Sequence, residues 1–280
     1  MPEGDTLFRT ARALGRALSG KPITGFRSTF PRLARYHDDT PLTGQLVREV
    51  ESRGKWLLIH FSSGATLATH LLMSGSWHIY RPGERWQKPA SHMRIVLENV
   101  DFQAIGFRVP VAHMHTAQSL ARELRIPAPA LDLLSPDFDG EAASARIALN
   151  AEREIADVLL DQHLLAGVGN EFKSEICFVC AVSPFARVAS LSAAHIAALV
   201  AASQRLLRAN VLEDSGDTLV TYRGLHRRTT RASSPQESVW VYGRAGQPCR
   251  RCGAYIERRA QGPEARVTFW CPLCQPLAQN

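Results

Sequence analysis

The spacing of apolar residues changes along the chain and divides it into regions. Apolar residues from Leu7 to Leu18 recur at helical spacing and SGKP follows them, which predicts a helix from about residue 3 to 19. From about residue 23 to 105, short apolar runs such as KWLLIHF and MRIVLENV alternate with Gly, Pro and Ser. This second pattern predicts strands joined by tight turns, and hence an antiparallel sandwich or barrel.

The second half of the chain returns to helical spacing. A stretch rich in proline and aspartate, residues 125–140, is the expected linker. Beyond it, the predicted helices are AEREIADVLLDQHLL, EFKSEICFV and LSAAHIAALVAASQRLLRANVLE. The glycines of LAGVGN permit a tight turn, and Asn170 starts the next helix, where free N–H groups favour an anion such as phosphate. Residues 214–238 are expected to form a mobile basic loop.

The charge of the chain is concentrated near its C-terminus. The formal net charge is +7, and residues 223–280 hold ten arginines against three acids, whereas residues 1–222 hold 23 bases and 23 acids. This asymmetry indicates a polyanionic partner, most commonly nucleic acid, although a solvated basic surface is the alternative. No run of eighteen apolar residues and no signal-peptide pattern occurs, so we expect a cytoplasmic, nucleoid-associated protein without a membrane partner.

Four cysteines have the spacing of a metal site. Cys249, Cys252, Cys271 and Cys274 form two C-x2-C pairs separated by eighteen residues. Two such knuckles facing each other across a hairpin bring four thiolates to the corners of a tetrahedron, which predicts one structural Zn²⁺, with disulfides as the alternative. Four thiolates leave no open coordination position, so the metal is expected to hold shape only.

Two further features complete the basic C-terminal region and its neighbourhood. Arginines 258, 259 and 266 lie between the paired cysteines, where a rigid hairpin could present them to phosphates. Cys177 and Cys180 also read C-x-x-C, but they lie in an apolar helical run without a second pair. We therefore interpret them as buried structural thiols.

The opening sequence MPEGDT has two possible interpretations. Pro, Glu and Asp are all favoured in the first turn of a helix, which is the simpler explanation. The alternative emerges from five segments in order: MPEG, SRGKWLL at 52–58, THLLMSGSW at 69–77, LLDQHLLAGVGN at 159–170, and VYGRAGQPCRRCG before the last cysteines. Together they resemble the Fpg/Nei DNA glycosylases, and within them the endonuclease VIII (Nei) branch, over nearly the whole chain.

The resemblance implies an α+β fold of three parts. These are an N-terminal helix with an antiparallel β-sandwich at residues 1–130, a helix–two-turns–helix domain at 131–222, and a basic loop with a zinc-finger β-hairpin at 223–280. It also implies a monomer that binds damaged double-stranded DNA in the cleft between the two halves. Such enzymes excise oxidised bases and then cut the strand.

The same resemblance assigns catalytic roles to Pro2, Glu3 and Lys55. After removal of Met1, the secondary amine of Pro2 would attack C1′ of the damaged nucleotide, helped by an α-amino pKa of about 8 against about 10.4 for lysine. Glu3 would act as the acid and base, and Lys55 of RGK would contact the lesion phosphate and assist the chemistry. A solvent-facing lysine at a strand start is the alternative for Lys55.

Further residues match positions that bind DNA in the family. Asn170 and Arg266 match residues that hold phosphates beside the flipped nucleotide, and His70 either does the same or is a satisfied core histidine. Leu72, Met73 and Ser74 match the loop that fills the gap left by the extruded base, although LLM alone would be interpreted as core.

Two departures limit the match. Thr6 stands where relatives often carry a second glutamate, and Asp5 is the neighbouring candidate to replace it. The RRFG-like loop of the Fpg branch is absent near 102–110, which favours oxidised pyrimidines over 8-oxoguanine. The expected function is a bifunctional glycosylase and abasic-site lyase; the alternatives are a non-catalytic binder of damaged DNA on the same fold, or the same enzyme with purine specificity.

Overall fold

We describe the chain from a computed structural model, in which residues 2–212, 229–230 and 237–277 are described. These residues fall into two compact units, an N-terminal unit that ends at Ile126 and a C-terminal unit that begins at Pro127. In the described part of the chain, none of the helices combines the length and the apolar character needed to span a membrane.

The N-terminal unit is a helix packed on a β-sandwich. One sheet has the order β1-β6-β7-β5 and the other β2-β3-β4-β8, and all pairings are antiparallel. The elements are helices α1 (Gly4–Leu18), α2 (Pro31–Asp39) and α3 (Ala117–Ala121), and strands β1 (Gly25–Ser28), β2 (Val47–Arg53), β3 (Trp56–Phe61), β4 (Thr66–His70), β5 (Ser76–Tyr80), β6 (Met93–Glu98), β7 (Gln103–Phe107) and β8 (Val111–His115).

The core of this unit explains its pattern of apolar residues. Leu57 and Ile59 of β3 face Ile95 and Leu97 of β6 in one cluster, which Leu14 of α1 and its apolar neighbours join. Alternate residues of β3, including Leu58, lie in a smaller cluster on the other face of the sheet. Both faces of the central strands are therefore covered, which is why KWLLIHF is continuously apolar instead of alternating.

The predicted N-terminal helix and the predicted sandwich are confirmed, but two details differ. The region 23–105, expected to be all strands, contains α2, which begins at Pro31 and buries only Leu33. Proline at the first helical position is compatible with a helix start, and the segment is too short and polar for a clear helical period. The sheet also continues to β8, beyond the expected end.

The C-terminal unit combines helices with a β-hairpin. Its helices are α4 (Gly140–Ala148), α5 (Ile155–Leu160), α6 (Asn170–Val179) and α7 (Ala193–Leu212), and its hairpin pairs β9 (Glu257–Gln261) with β10 (Arg266–Trp270). Helices α5 and α6 are joined through turns around Gly167, whose φ of 109° requires glycine, so the predicted two-turn connection is confirmed.

The remaining predictions for this unit have mixed outcomes. Helix α4 was not predicted from the sequence. The helix predicted for AEREIADVLLDQHLL is shorter in the structure and is only α5, because the Asp161 carboxylate accepts a hydrogen bond from the His163 N–H and starts a turn there. The stretch 125–140 is packed, since Leu133 is fully buried. Cys177 is buried as expected, and burial raises the pKa of its thiol to about 12, whereas Cys180, also expected to be buried, is only half-buried. Most of the basic loop 214–238 lies outside the described residues.

Candidate active site and nucleic-acid interface

The N-terminus separates Pro2 and Glu3 from the helix that follows. Pro2 is half-buried and precedes α1, and the helix begins only at Gly4. Glu3 is 2% exposed, and its backbone carbonyl accepts hydrogen bonds from the N–H groups of Thr6 and Leu7 at 3.0 and 3.1 Å. The Glu3 side chain does not cap the helix, so a helix start alone does not account for a glutamate at this position.

Asp5 is held by residues of its own helix. Its carboxylate is fully buried, lies 3.6 Å from the Arg9 guanidinium and accepts a hydrogen bond of 3.3 Å from the Thr6 hydroxyl. The acid beside Thr6 is therefore oriented by an i,i+4 ion pair. Its use in place of the missing glutamate stays a prediction.

Lys55 lies in the turn that joins β2 to β3. Gly54 adopts a φ of 57°, and Arg53 pairs with Trp56 across the turn. Lys55 is only 8% exposed, in contrast to the solvent-facing alternative. Its side chain is therefore held by the surrounding protein and not by bulk water.

His70 ends β4 close to this lysine. Burial and then the positive charge of Lys55 lower the pKa of His70 to about 4. Its Nδ1 accepts a hydrogen bond of 3.1 Å from the backbone N–H of Leu72, and its ring packs edge-on against Trp56. A neutral ring whose Nδ1 accepts must carry its proton on Nε2, so this histidine can offer a neutral N–H donor.

The loop after His70 exposes apolar side chains. Leu72 and Met73 are 44% and 69% exposed, Ser74 is also exposed, and Leu71 alone faces the core. Leu72 has a φ of 44°, which is strained for a leucine. At Gly75 a Cβ atom would lie 2.8 Å from the Leu71 carbonyl, so the tight turn requires glycine. The simple interpretation of LLM as core holds only for Leu71.

In the C-terminal unit, Asn170 is the first residue of α6. Its side-chain Nδ2 donates a hydrogen bond of 2.8 Å to the backbone carbonyl of Val267 on β10. Asn170 thus joins the N-terminus of a helix to the hairpin. The structure places it where the sequence predicts, at a helix end with donors suited to an anion.

Arg266 begins β10 on the same hairpin. Its Nε and Nη2 donate to Glu264 at 2.8 and 2.6 Å, and the side chain is 39% exposed. A phosphate would have to replace this exposed carboxylate. Arg259 on β9 stacks over the ring of Phe185 at 3.6 Å, so it stabilises the hairpin against the helical part of the unit.

The four predicted cysteines form a site that fits a structural metal. Their sulfur atoms all lie within 4.8 Å of one another, with 3.9 Å between Cys249 and Cys274 and 3.4 Å between Cys252 and Cys271. A tetrahedral site with metal–sulfur bonds of about 2.3 Å has edges of about 3.8 Å. The arrangement matches such a site, and in the described residues it is the sole cluster of this kind.

Comparison with known proteins agrees with this geometry. Family models match at residues 1–108 (Formamidopyrimidine-DNA glycosylase N-terminal domain), 130–221 (Formamidopyrimidine-DNA glycosylase H2TH domain) and 246–277 (Zinc finger found in FPG and IleRS). A relative from Streptomyces coelicolor, named probable endonuclease 8 2, is 40% identical and the alignment covers 98% of this chain and 94% of the relative. The chain belongs to the Fpg/Nei family of DNA glycosylases.

Other members of the Fpg/Nei family align over comparable lengths. The DNA-(apurinic or apyrimidinic site) lyase Nei2 of Mycolicibacterium smegmatis is 39% identical, with 98% of this chain and 99% of the relative covered. Endonuclease 8 of Escherichia coli is 33% identical, with 98% and 100% covered. The predicted resemblance to the Nei branch is thereby confirmed.

Solved structures of the Fpg/Nei family share the fold. A structure of MutM with DNA containing carbocyclic 8-oxo-G superposes with a TM-score of 0.80 at 23% identity, covering 98% of this chain and 100% of that one. The Lactococcus lactis Fpg bound to DNA with an abasic site gives a TM-score of 0.79 at 23% identity, covering 98% and 99%. The predicted fold class is confirmed.

Two buried charged residues of α6 escaped the sequence reasoning. Lys173 is 1% exposed and Glu175 is fully buried, and both bind residues more than fifty positions away in the chain. The available signal was the scarcity of lysine: only four of the 33 basic residues are lysines. Nothing in the local pattern distinguished Glu175 from a solvated glutamate.

Proposed function

We propose that this Fpg/Nei chain is a bifunctional DNA glycosylase and abasic-site lyase that uses the Pro2 amine as its nucleophile. The observation that carries the proposal is Glu3: a buried carboxylate that does not cap α1 lies directly beside a proline outside the helix. A buried acid adjacent to an amine is the pairing that covalent amine catalysis needs. The Mycolicibacterium smegmatis relative named as an abasic-site lyase supports the same activity.

In the proposed reaction, the Pro2 nitrogen attacks C1′ and the damaged base leaves with the electrons of the glycosidic bond. The ammonium formed on Pro2 then loses its proton to the departing base, and the freed lone pair forms a C1′ iminium as the C1′–O4′ bond breaks and Glu3 gives O4′ a proton. The cationic iminium acidifies C2′, whose proton is lost as the 3′ phosphate departs. A second elimination releases the 5′ phosphate and leaves a one-nucleotide gap.

Lys55 and the DNA-binding residues have separate roles in this proposal. Lys55 binds the phosphate at the lesion, and the Nε2–H group of His70 donates a hydrogen bond to a neighbouring phosphate. Leu72, Met73 and Ser74 fill the space of the extruded nucleotide, which suits the exposed apolar side chains of Leu72 and Met73. Exposed apolar groups are costly in water and gain stability between base pairs.

In this proposal the C-terminal unit binds the DNA backbone independently of the base sequence. Asn170 and Arg266 bind phosphates from the helix end and from the hairpin. The metal held by the four cysteines is proposed to be Zn²⁺, which would fix the two knuckles and keep the hairpin rigid. We propose oxidised pyrimidines as the preferred lesions, because the segment 102–110 is DFQAIGFRV in place of an RRFG-like loop.

Strand cleavage by matched variants tests the proposal. Duplexes carrying an abasic site, 5-hydroxyuracil or 8-oxoguanine are incubated with wild type, Pro2→Gly, Glu3→Gln, Lys55→Met and the control Lys21→Met, which changes a surface lysine paired with Asp101. We expect Pro2→Gly and Glu3→Gln to abolish base release and Lys21→Met to behave as wild type. Undiminished cleavage by Pro2→Gly would refute Pro2 as the nucleophile, absence of cleavage by wild type would favour the non-catalytic binder, and faster 8-oxoguanine release would establish purine specificity.

A further inference from the structure

Lys173 is a buried cation placed one helical turn after Asn170. Its Nζ donates to Oδ1 of Asn170 at 2.8 Å and to Oγ1 of Thr268 on β10 at 2.7 Å. The side chain is 1% exposed, so these contacts are made without competition from bulk water. A lysine in the first turns of a helix is opposed by the helix dipole, so its presence here needs another explanation.

The hydrogen-bond network behind Lys173 has a defined direction. The Thr268 hydroxyl donates a hydrogen bond to Oε1 of Gln261 at 2.6 Å, which leaves the hydroxyl oxygen to accept a hydrogen bond from Lys173. Gln261 in turn donates to Glu154 at 2.6 Å and to the Pro184 carbonyl at 2.9 Å. Because each donor has an acceptor, the chain of contacts fixes the position of the lysine ammonium.

This arrangement decides which end of the Asn170 amide faces outward. An ammonium group can only donate, so the amide oxygen of Asn170 must be the atom that faces Lys173. The amide nitrogen then faces β10, where one of its two protons is used by the Val267 carbonyl. A flipped amide would set N–H groups against the ammonium, so Lys173 keeps the second amide proton available to an acceptor such as a phosphate oxygen.

We propose that Lys173 is a positioning residue for DNA binding, which locks the Asn170 amide with its donor toward the phosphate. The inference rests on the proposed function, because it presupposes that Asn170 binds DNA. Lys173 itself need not touch the phosphate. Its hydrogen bond orients the amide that does, and it couples the helix end to the metal-bound hairpin through Thr268.

A binding cycle with an uncleavable duplex tests this role. The duplex carries a tetrahydrofuran abasic analogue, and its Kd is measured for wild type, Lys173→Met, Asn170→Ala, the double variant and the surface control Lys21→Met. We expect Lys173→Met and Asn170→Ala each to weaken binding about tenfold, as for loss of a charge-assisted contact. The double variant should bind no more than about twofold more weakly than Asn170→Ala, because Lys173 acts through Asn170.

A conservative variant separates orientation from charge. Lys173→Gln is neutral but can still donate to Asn170, so it should bind within about threefold of wild type. The surface control Lys21→Met should keep both the Kd and the rate of abasic-site cleavage of wild type.

Several outcomes would overturn the inference. These are wild-type affinity in Lys173→Met, multiplied losses in the double variant, or a loss in Lys173→Gln as large as in Lys173→Met. If Lys173→Met does not fold, more than tenfold weaker binding by folded Lys173→Gln overturns the inference by itself. Failure of wild type to bind or cleave the duplex would instead refute the proposed function.

Discussion

Replacing Glu175 tests how the chain before the metal site is held to α6. The Glu175 carboxylate accepts hydrogen bonds from the backbone N–H groups of Trp240, Val241 and Tyr242 at 2.8, 2.9 and 2.8 Å, and from the Thr229 hydroxyl. Four donors therefore converge on one fully buried side chain. Glu175→Gln keeps the shape of the side chain but replaces one acceptor oxygen with a donor.

The magnitude follows from the number of donors left without an acceptor. In wild type, each carboxylate oxygen of Glu175 accepts from two donors. In Glu175→Gln one of these oxygens becomes an NH₂ group, so its two donors lose their acceptor. A buried unsatisfied donor costs about 1–3 kcal/mol, and Trp240 and Tyr242 are half-buried, so we expect about 3 kcal/mol in the C-terminal unit. This corresponds to roughly a hundredfold larger opening equilibrium for residues 240–242.

Hydrogen exchange measured by mass spectrometry localises the effect. Peptides covering 240–242 should lose protection in Glu175→Gln, while peptides of the N-terminal unit keep theirs. The control Glu257→Gln changes an exposed glutamate on β9 and should alter stability by no more than about 0.5 kcal/mol. Unchanged protection of 240–242 in Glu175→Gln would show that these amides do not depend on the carboxylate, and the reasoning would be refuted.

Three further predictions concern other parts of the molecule. Burial and then the charge of Lys88 lower the pKa of His78 to about 4. The unfolded chain therefore binds a proton at a higher pH than the folded chain, and the free energy of unfolding should fall as the pH drops from about 6.5 through 4. Urea unfolding at several pH values should show a shallower pH dependence for His78→Phe than for wild type. A chelator should release one equivalent of zinc and weaken DNA binding, and Cys252→Ser should weaken DNA binding as well. Retained DNA affinity in the metal-free protein would contradict a structural metal. Met73→Ala should leave the unfolding free energy unchanged, since the side chain is 69% exposed, but should slow base release from a lesion more than cleavage at an abasic site, as measured by single-turnover kinetics.

Much of the fold could be predicted from local patterns. The helical period of α1 and the spacing of the four cysteines each depend on a few neighbouring residues, and the structure has both as expected. Helix α2 was missed because a nine-residue helix with a single buried residue has almost no periodic signal. The apolar runs of β3 and β4 predicted strands, although only tertiary packing explains why both faces are buried.

Candidate site residues could be proposed from the sequence only where chemistry follows from a motif. Pro2, Glu3 and Lys55 came from the resemblance, but the burial of Glu3 and Lys55 required the structure. Exposure of Leu72 and Met73 beside buried Leu71 depends on a positive φ in the loop, which no apolar pattern reveals. The contact of Lys173 with Thr268 joins residues 95 positions apart, so only the folded chain brings it about.

Reductive trapping tests the central claim most directly. The protein, with removal of Met1 verified by intact mass, is incubated with a duplex carrying an abasic site in the presence of borohydride, and the covalent complex is digested and sequenced by mass spectrometry. Iminium formation at the N-terminal amine predicts a stable adduct on the peptide that begins at Pro2, and no adduct with Pro2→Gly if the proline ring nitrogen is essential. An adduct on Lys55, or no adduct from the metal-loaded wild-type protein, would contradict the account.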